Sequence, residues 1–454
     1  MHLISTEMNY NQIPTYIINL KKRPDRKESI LNEFKDKEEF ALNIVEAFED
    51  KFGALGLWNT IIHILRNLIN KDEEFIIIGE DDLEFTNFYS KKILVETIDC
   101  AKEKKADIVL GGVSWFSNSI RLSSNLYWVE NFSGLQFTII FRKFFDVILK
   151  ASLINYEAAD YKIASMTSSA MFVYPFITIQ KEFGYSDATS NNNENGRVSA
   201  LFNASTKLVE QTTKISTLYL DNKLSSLHGS KPDLENITIP TYIINLSHNN
   251  TKFDLRAEFS GKNEFDLKVI HRYKRNTNLS LWLNIRKIIK SAIKNDDDVI
   301  VISSDKHKFT NDYSKEYLLT NIIEGHYSGA DFLSGYANDF NKIIPIAKNR
   351  FWIDQYHSLQ FLIIYRNAFH DILSLPYNKD IVPNKAISNM SLSKMILYPF
   401  ISEDSPKDSC TEKSNDVKLR FNKIHRAFLR IDKDKLVIAN DQNSFGTAEV
   451  LADN

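Results

Sequence analysis

"IPTYIINL", residues 13–20, occurs again letter for letter at residues 239–246. Either copy alone is a short apolar run ending in a polar loop, the pattern of a buried strand. Two copies so far apart make a repeat of domain size, because solenoid units recur about every 20–50 residues. The echo continues in order. "LGLWN" around Trp58 returns as "LSLWL" around Trp282, "FTNFYSKK" from Phe85 as "FTNDYSKE" from Phe309, "SGLQFTIIFRK" from Ser133 as "HSLQFLIIYRN" from His357, and "MFVYPFI" from Met171 as "MILYPFI" from Met395. The offset is 226 residues at the first block and 224 at the later ones, so the second copy is two residues shorter early on and otherwise stays in register.

Within a copy, strand and helix patterns alternate. "GLWNTIIHILRNLINK" carries apolar residues at helical spacing, and "EEFIIIG" is short and β-branched. "NFYSKKILVETIDCAKEKK" is helical again and leads into "ADIVLGGV", a second continuous apolar strand. Alternation of this kind predicts an α/β fold, a mainly parallel sheet flanked by helices, in each of two tandem domains. The expected organisation is a first domain over residues 1–222, a linker over 223–238 rich in turn residues, and a second domain over 239–454.

Bulk composition excludes several functions. Fifty-six Lys and Arg against 58 Asp and Glu leave a net charge of −2, which provides no global field for nucleic acid. Two cysteines are too few for a disulfide framework or a zinc cluster and fit a reducing compartment. The opening "MHLISTEMNYNQIP" has no charged-then-apolar signal pattern, and no apolar run reaches the ~18 residues of a membrane span. A cytoplasmic chain without a transmembrane segment is expected.

Ligands of parallel sheets bind beyond the carboxyl ends of the strands. There the first copy places "KKRPDRK" after Leu20 and "EDD", residues 80–82, after Gly79. Acids at a strand end suit Mg²⁺ or Mn²⁺, which prefer oxygen ligands, and planar guanidinium forks suit phosphate. Each motif also has a plainer reading: "EDD" as a solvated turn or helix N-cap, "KKRPDRK" as a charged turn fixed by Pro24. Trp58 and Trp282 read as core, whereas Trp115 and Phe116 either stack on a sugar or anchor a buried loop.

In that order and company the motifs resemble the family 25 glycosyltransferases, the lipopolysaccharide and procollagen galactosyltransferase group. "YIINLKKRPDRKESILNEF" is similar to the family's first strand and Arg-rich segment, "GALGLWNTIIHILR" to its helix entry, and "FIIIGEDDLEF" to its strand ending in Glu-Asp-Asp. "GLQFTIIFRKFFDVIL" and then "AADYKIASM" with "YPFITIQKEFGYSD" resemble its later segments. The resemblance implies a GT-A fold, a nucleotide-sugar donor such as UDP-galactose, Mn²⁺ or Mg²⁺, and inversion at the anomeric carbon. It implies donor contacts from Asn19, Leu20, Arg23, Arg26, Glu80, Asp81 and Gln180, a metal held by Asp82, Asp81 and Asp187, and catalytic roles for Asp82 and for Asp160 as the base. The acceptor implied is a glycan or lipid-linked saccharide, handled in the cytoplasm or peripherally at the inner face of a cell membrane.

The second copy is an internal control. It keeps the framework blocks and changes most of the polar positions: Arg23 faces Asn249, Arg26 faces Lys252, and Glu80, Asp81 and Asp82 face Ser304, Asp305 and Lys306, only the middle acid persisting. Asp160 faces Asn384 and Gln180 faces Asp404. A catalytic first copy and a degenerate second one are therefore expected. The rivals are a non-catalytic glycan- or nucleotide-binding scaffold and a nucleotidyltransferase on a similar sheet.

Overall fold

The structure, a computed structural model, describes residues 12–154, 157–185, 194–220, 233–245, 256–271, 277–375, 380–404 and 415–431. The chain divides into two compact units, with one cut inside a long helix between Thr213 and Lys214 and the other between Leu429 and Arg430. Most of the expected linker, residues 223–232, lies outside the described residues.

The first unit opens with strand β1 (Ile13–Asn19), helix α1 (Pro24–Phe34), strand β2 (Phe40–Glu46), helix α2 (Gly53–Asn67) and strand β3 (Phe75–Glu80). Pro24 starts α1, where its missing N–H costs nothing because that donor would be unpaired anyway. The short β4 (Leu83–Phe85) precedes α3 (Lys91–Glu103), which Ser90 caps by accepting from the Ile93 N–H at 3.2 Å. Next come β5 (Ile108–Leu110), β6 (Trp115–Phe116), β7 (Ser119–Arg121), β8 (Leu126–Val129), β9 (Phe132–Ser133) and β10 (Phe137–Phe141). Helices α4 (Arg142–Lys150) and α5 (Ala159–Met166), strands β11 (Ala170–Val173) and β12 (Thr178–Gln180), and the long α6 (Arg197–Leu220) follow.

Eight strands form one sheet in the order β2-β1-β3-β10-β5-β11-β8-β7. The pairings make six of them run one way, with β10 and β8 reversed. The sheet is thus mainly parallel but mixed, because a continuous apolar run such as "FTIIF" reads the same in either direction. Tyr16, Ile17 and Ile18 are buried in succession, as are Ile76, Ile77 and Ile78, so both faces of the central strands are covered. Each such side chain contributes about 1.5–3 kcal/mol by leaving water. Trp58 lies in this core and Trp282 in its own unit, as their helical spacing predicts.

The second unit repeats the plan. Its eight-stranded sheet has the same order, from Phe265–His271 and Ile239–Asn245 through Val299–Ser304, Phe361–Tyr365, Phe332–Ser334 and Lys394–Leu397 to Arg350–Ile353 and Ile343–Ala347. Polar framework contacts repeat as well. The Thr86 hydroxyl donates to the Phe176 carbonyl at 2.6 Å, and the Thr310 hydroxyl does the same to Phe400. Glu33 accepts from the Phe85 N–H, and Glu258 from the Phe309 N–H. Tyr89 donates to Glu39 and Tyr313 to Glu264. Tyr174-Pro175 and Tyr398-Pro399 are both cis.

Candidate active site

Register assembles the site. In the parallel pair β1–β3, Ile18 lies opposite Glu80, so Asn19 and the acids after β3 share one carboxyl edge. Strand β12 pairs with β4, with Gln180 opposite Leu83, which carries the Gln180 amide to Asp82. Strand β10 enters beside Gly79, and the Gln136 carbonyl just before it accepts the Glu80 N–H at 3.2 Å. Ser133 and Gly134 lead into that strand, and they reach the start of α5, where Asp160 sits.

Among the acids the central cation is Arg26. One of its amino groups lies 3.0 Å from Asp81 Oδ1 and 3.6 Å from Asp82 Oδ2, and all three side chains are at most 10% exposed. Asn19 Nδ2 donates to Asp81 Oδ2 at 2.7 Å and to the Arg23 carbonyl at 3.1 Å, tying the basic loop to the acids. Gln180 Nε2 donates to Asp82 Oδ2 at 2.7 Å, and the Lys181 N–H to the Asp82 carbonyl at 2.7 Å. Leu20 serves through its backbone, accepting the Arg23 N–H at 2.8 Å. Arg23 stacks over the Tyr185 ring at 3.9 Å. Tyr185 also accepts Arg26 Nη2 at its carbonyl, 2.8 Å away, and donates its hydroxyl to Asp25 at 2.7 Å. Phe183 lies under the Arg26 guanidinium at 4.8 Å. Neither aromatic stands out in the sequence; the one signal for them is "FGY" a few residues after Gln180 in the closing segment.

The acids of this cluster crowd one another. Burial works against the Arg26 guanidinium, but Asp82 and Asp81 hold it protonated above its ordinary range. Burial pushes Asp82 up to about 6 against the opposing pull of Gln180 and Arg26, and Asp81 adds to the rise. Burial pushes Glu80 well above the usual carboxylate range, reinforced by Asp82, Asp81 and Asp160. One arginine is therefore set against several carboxylates. Asp160 is held from three sides: the Ser133 hydroxyl at 2.7 Å and the Gly134 N–H at 3.2 Å on Oδ2, and the Tyr161 N–H at 2.8 Å on Oδ1. Gly134 has φ +113°, a conformation that glycine adopts readily and side chains resist.

The acids bear on a cation unequally. Asp81, expected as a ligand, has both oxygens engaged, by Asn19 and Arg26. Asp82 Oδ1 is buried with no hydrogen-bond partner, and it is the oxygen a divalent ion would meet, with Glu80 beside it. Asp187 lies outside the described residues, and among the described residues no three His, Cys, Asp or Glu side chains group to hold a metal ion. Asp82 and Glu80 thus fit a cation as part of a ligand set.

In the second unit the rim is different. Ser304 Oγ accepts the Lys306 N–H at 3.3 Å, and Asn384 donates to the His357 carbonyl at 3.1 Å. Asp404 accepts the hydroxyl of Tyr336 at 2.6 Å, and Tyr336 stands where the first copy has Gly112.

No family model and no curated protein matches the sequence significantly. Among solved structures, the crystal structure of A197 from STIV is similar at 11% identity and a TM-score of 0.27, over 37% of this chain and 85% of that one. Apo UDP-glucose pyrophosphorylase is similar at 9% identity and a TM-score of 0.26, over 43% of this chain and 81% of that one. Among the described residues no helix is long and apolar enough to cross a membrane.

Proposed function

We propose that the first unit is a metal-dependent, inverting glycosyltransferase of GT-A type, akin to family 25, which moves a sugar, galactose from UDP-galactose in the first instance, to a saccharide acceptor. The observation that carries this reading is the buried, unpartnered Asp82 Oδ1 at the carboxyl edge of β1 and β3, with Glu80 alongside and Arg26 behind. Asp82 and Glu80 would hold the cation, whose positive charge would offset the negative charge developing on the departing diphosphate. Arg23 and Arg26, positioned by Asn19 and Tyr185, would orient the donor phosphates. Asp160, fixed by Ser133 and Gly134, would take the proton of the acceptor hydroxyl as its oxygen bonds to the anomeric carbon and the bond to the diphosphate breaks. The second unit has Asn249, Ser304, Lys306 and Asn384 in place of Arg23, Glu80, Asp82 and Asp160 and would serve as scaffold.

The test is titration of the full chain with UDP-sugars, with and without Mn²⁺, together with donor hydrolysis in Asp82→Asn. Donor binding that requires Mn²⁺, and hydrolysis falling about 100-fold or more in the variant, is expected. Absence of nucleotide-sugar binding favours the scaffold reading.

A further inference from the structure

Two aromatic rings stand exposed beside Asp160 in the first unit. Trp115 is 41% exposed and Tyr161 49%, with ring centroids 6.1 Å apart and planes inclined at 59°. Large rings cost free energy when left in water, and an adjoining exposed pair is a more specific feature than a lone one. Both rings are tied to the acid. Trp115 pairs with Ser133 in the β6–β9 ladder, and the Ser133 hydroxyl donates to Asp160; the Tyr161 N–H donates to the same carboxylate.

The duplication separates packing from binding. Phe116 and its counterpart Phe340 are both buried at 2%, so the inward half of this turn is framework. Trp115 is replaced by Asp339 and Tyr161 by Lys385, and both rings disappear together with Asp160, which becomes Asn384. Rings needed only for folding would be expected to persist as Phe116 does.

We propose that Trp115 and Tyr161 form the acceptor-sugar subsite, a V-shaped aromatic cradle for a pyranose. A pyranose presents an apolar C–H face bordered by hydroxyls. One ring stacks on that face, the other closes on its edge, and Asp160 accepts a hydroxyl hydrogen at the border. The assignment rests on the transferase reading for the word acceptor, but saccharide binding itself does not.

The experiment is saturation-transfer NMR on the full chain, without donor, using a panel of disaccharides ending in galactose, glucose or N-acetylglucosamine. At least one should receive magnetisation at its ring C–H protons. Its affinity should fall about tenfold in Trp115→Ala and in Tyr161→Ala, while Trp115→Phe retains most of it. Circular dichroism of each variant separates lost binding from lost fold. Failure of the whole panel to bind, or affinity unchanged in both folded alanine variants, overturns the subsite. A chain that binds a disaccharide through these rings yet binds no UDP-sugar would sink the transferase reading and leave this one standing.

Discussion

At the scale of single residues, Arg26 decides whether the acids can coexist. Its removal leaves Asp81 and Asp82 buried without their cation, so Arg26→Ala should lose about 3–5 kcal/mol in urea denaturation. Arg26→Lys restores charge but not the fork that spans Asp81 and Tyr185, and should recover only part of the loss. The pH dependence has a defined sign. Asp82 is pushed up to about 6, above the ~3.9 of an unfolded aspartate, so its neutral form stabilises the fold. That contribution is complete below about pH 4 and is lost as pH rises through 6, with Glu80 shifted the same way. In metal-free buffer, stability should therefore decline across this window, and Asp82→Asn should flatten the decline in thermal unfolding. The acids and arginines were legible as a group, but their pairing was not. "KKRPDRK" gives no sign that Arg26 turns inward while Arg23 stacks on Tyr185, because that depends on where a segment about 160 residues later returns.

At the scale of elements, each copy is held by short devices that sequence pattern does disclose. Ser90 and Ser314 cap equivalent helices, and alanine at either position should cost about 1 kcal/mol, to a similar extent in both units, by chemical denaturation. Gly134 is less exchangeable. A Cβ there would meet Gln136 Oε1 at 2.7 Å and strain a φ of +113°, so Gly134→Ala should cost about 1–3 kcal/mol and loosen Asp160, read as a larger fall in transfer than in donor binding. The strands were legible as apolar runs, but strand direction was not. β10 is reversed because it returns from the β6–β9 excursion, a connection that apolar patterning does not encode. Gln180 carried a readable hint in its place on the closing segment, but its approach to Asp82 follows from the β12–β4 register.

At the scale of the whole molecule, the duplication was plain from the repeated octapeptide, and the two sheets agree strand for strand in order. The rims do not agree, which sets a stoichiometry. Calorimetry of the full chain with Mn²⁺ and UDP should give one site per chain, abolished by Asp82→Asn; two sites would require the Ser304–Lys306 rim to bind as well. The extent of each unit was less legible. The boundary falls inside α6, where Ile215 and Tyr219 belong to the second core although the sequence pattern runs through them unbroken.

The Tyr89–Glu39 and Tyr313–Glu264 pairs, the two threonine latches and the two capping serines survive in both copies while the rim between them is rewritten. Such a protein stores its architecture and its chemistry in separate sets of positions. Drift can erase one set and leave the other intact, so on the proposed function the second unit would be a natural blank: a scaffold onto which the rim residues of the first could be transplanted, one at a time, to ask how few of them confer binding.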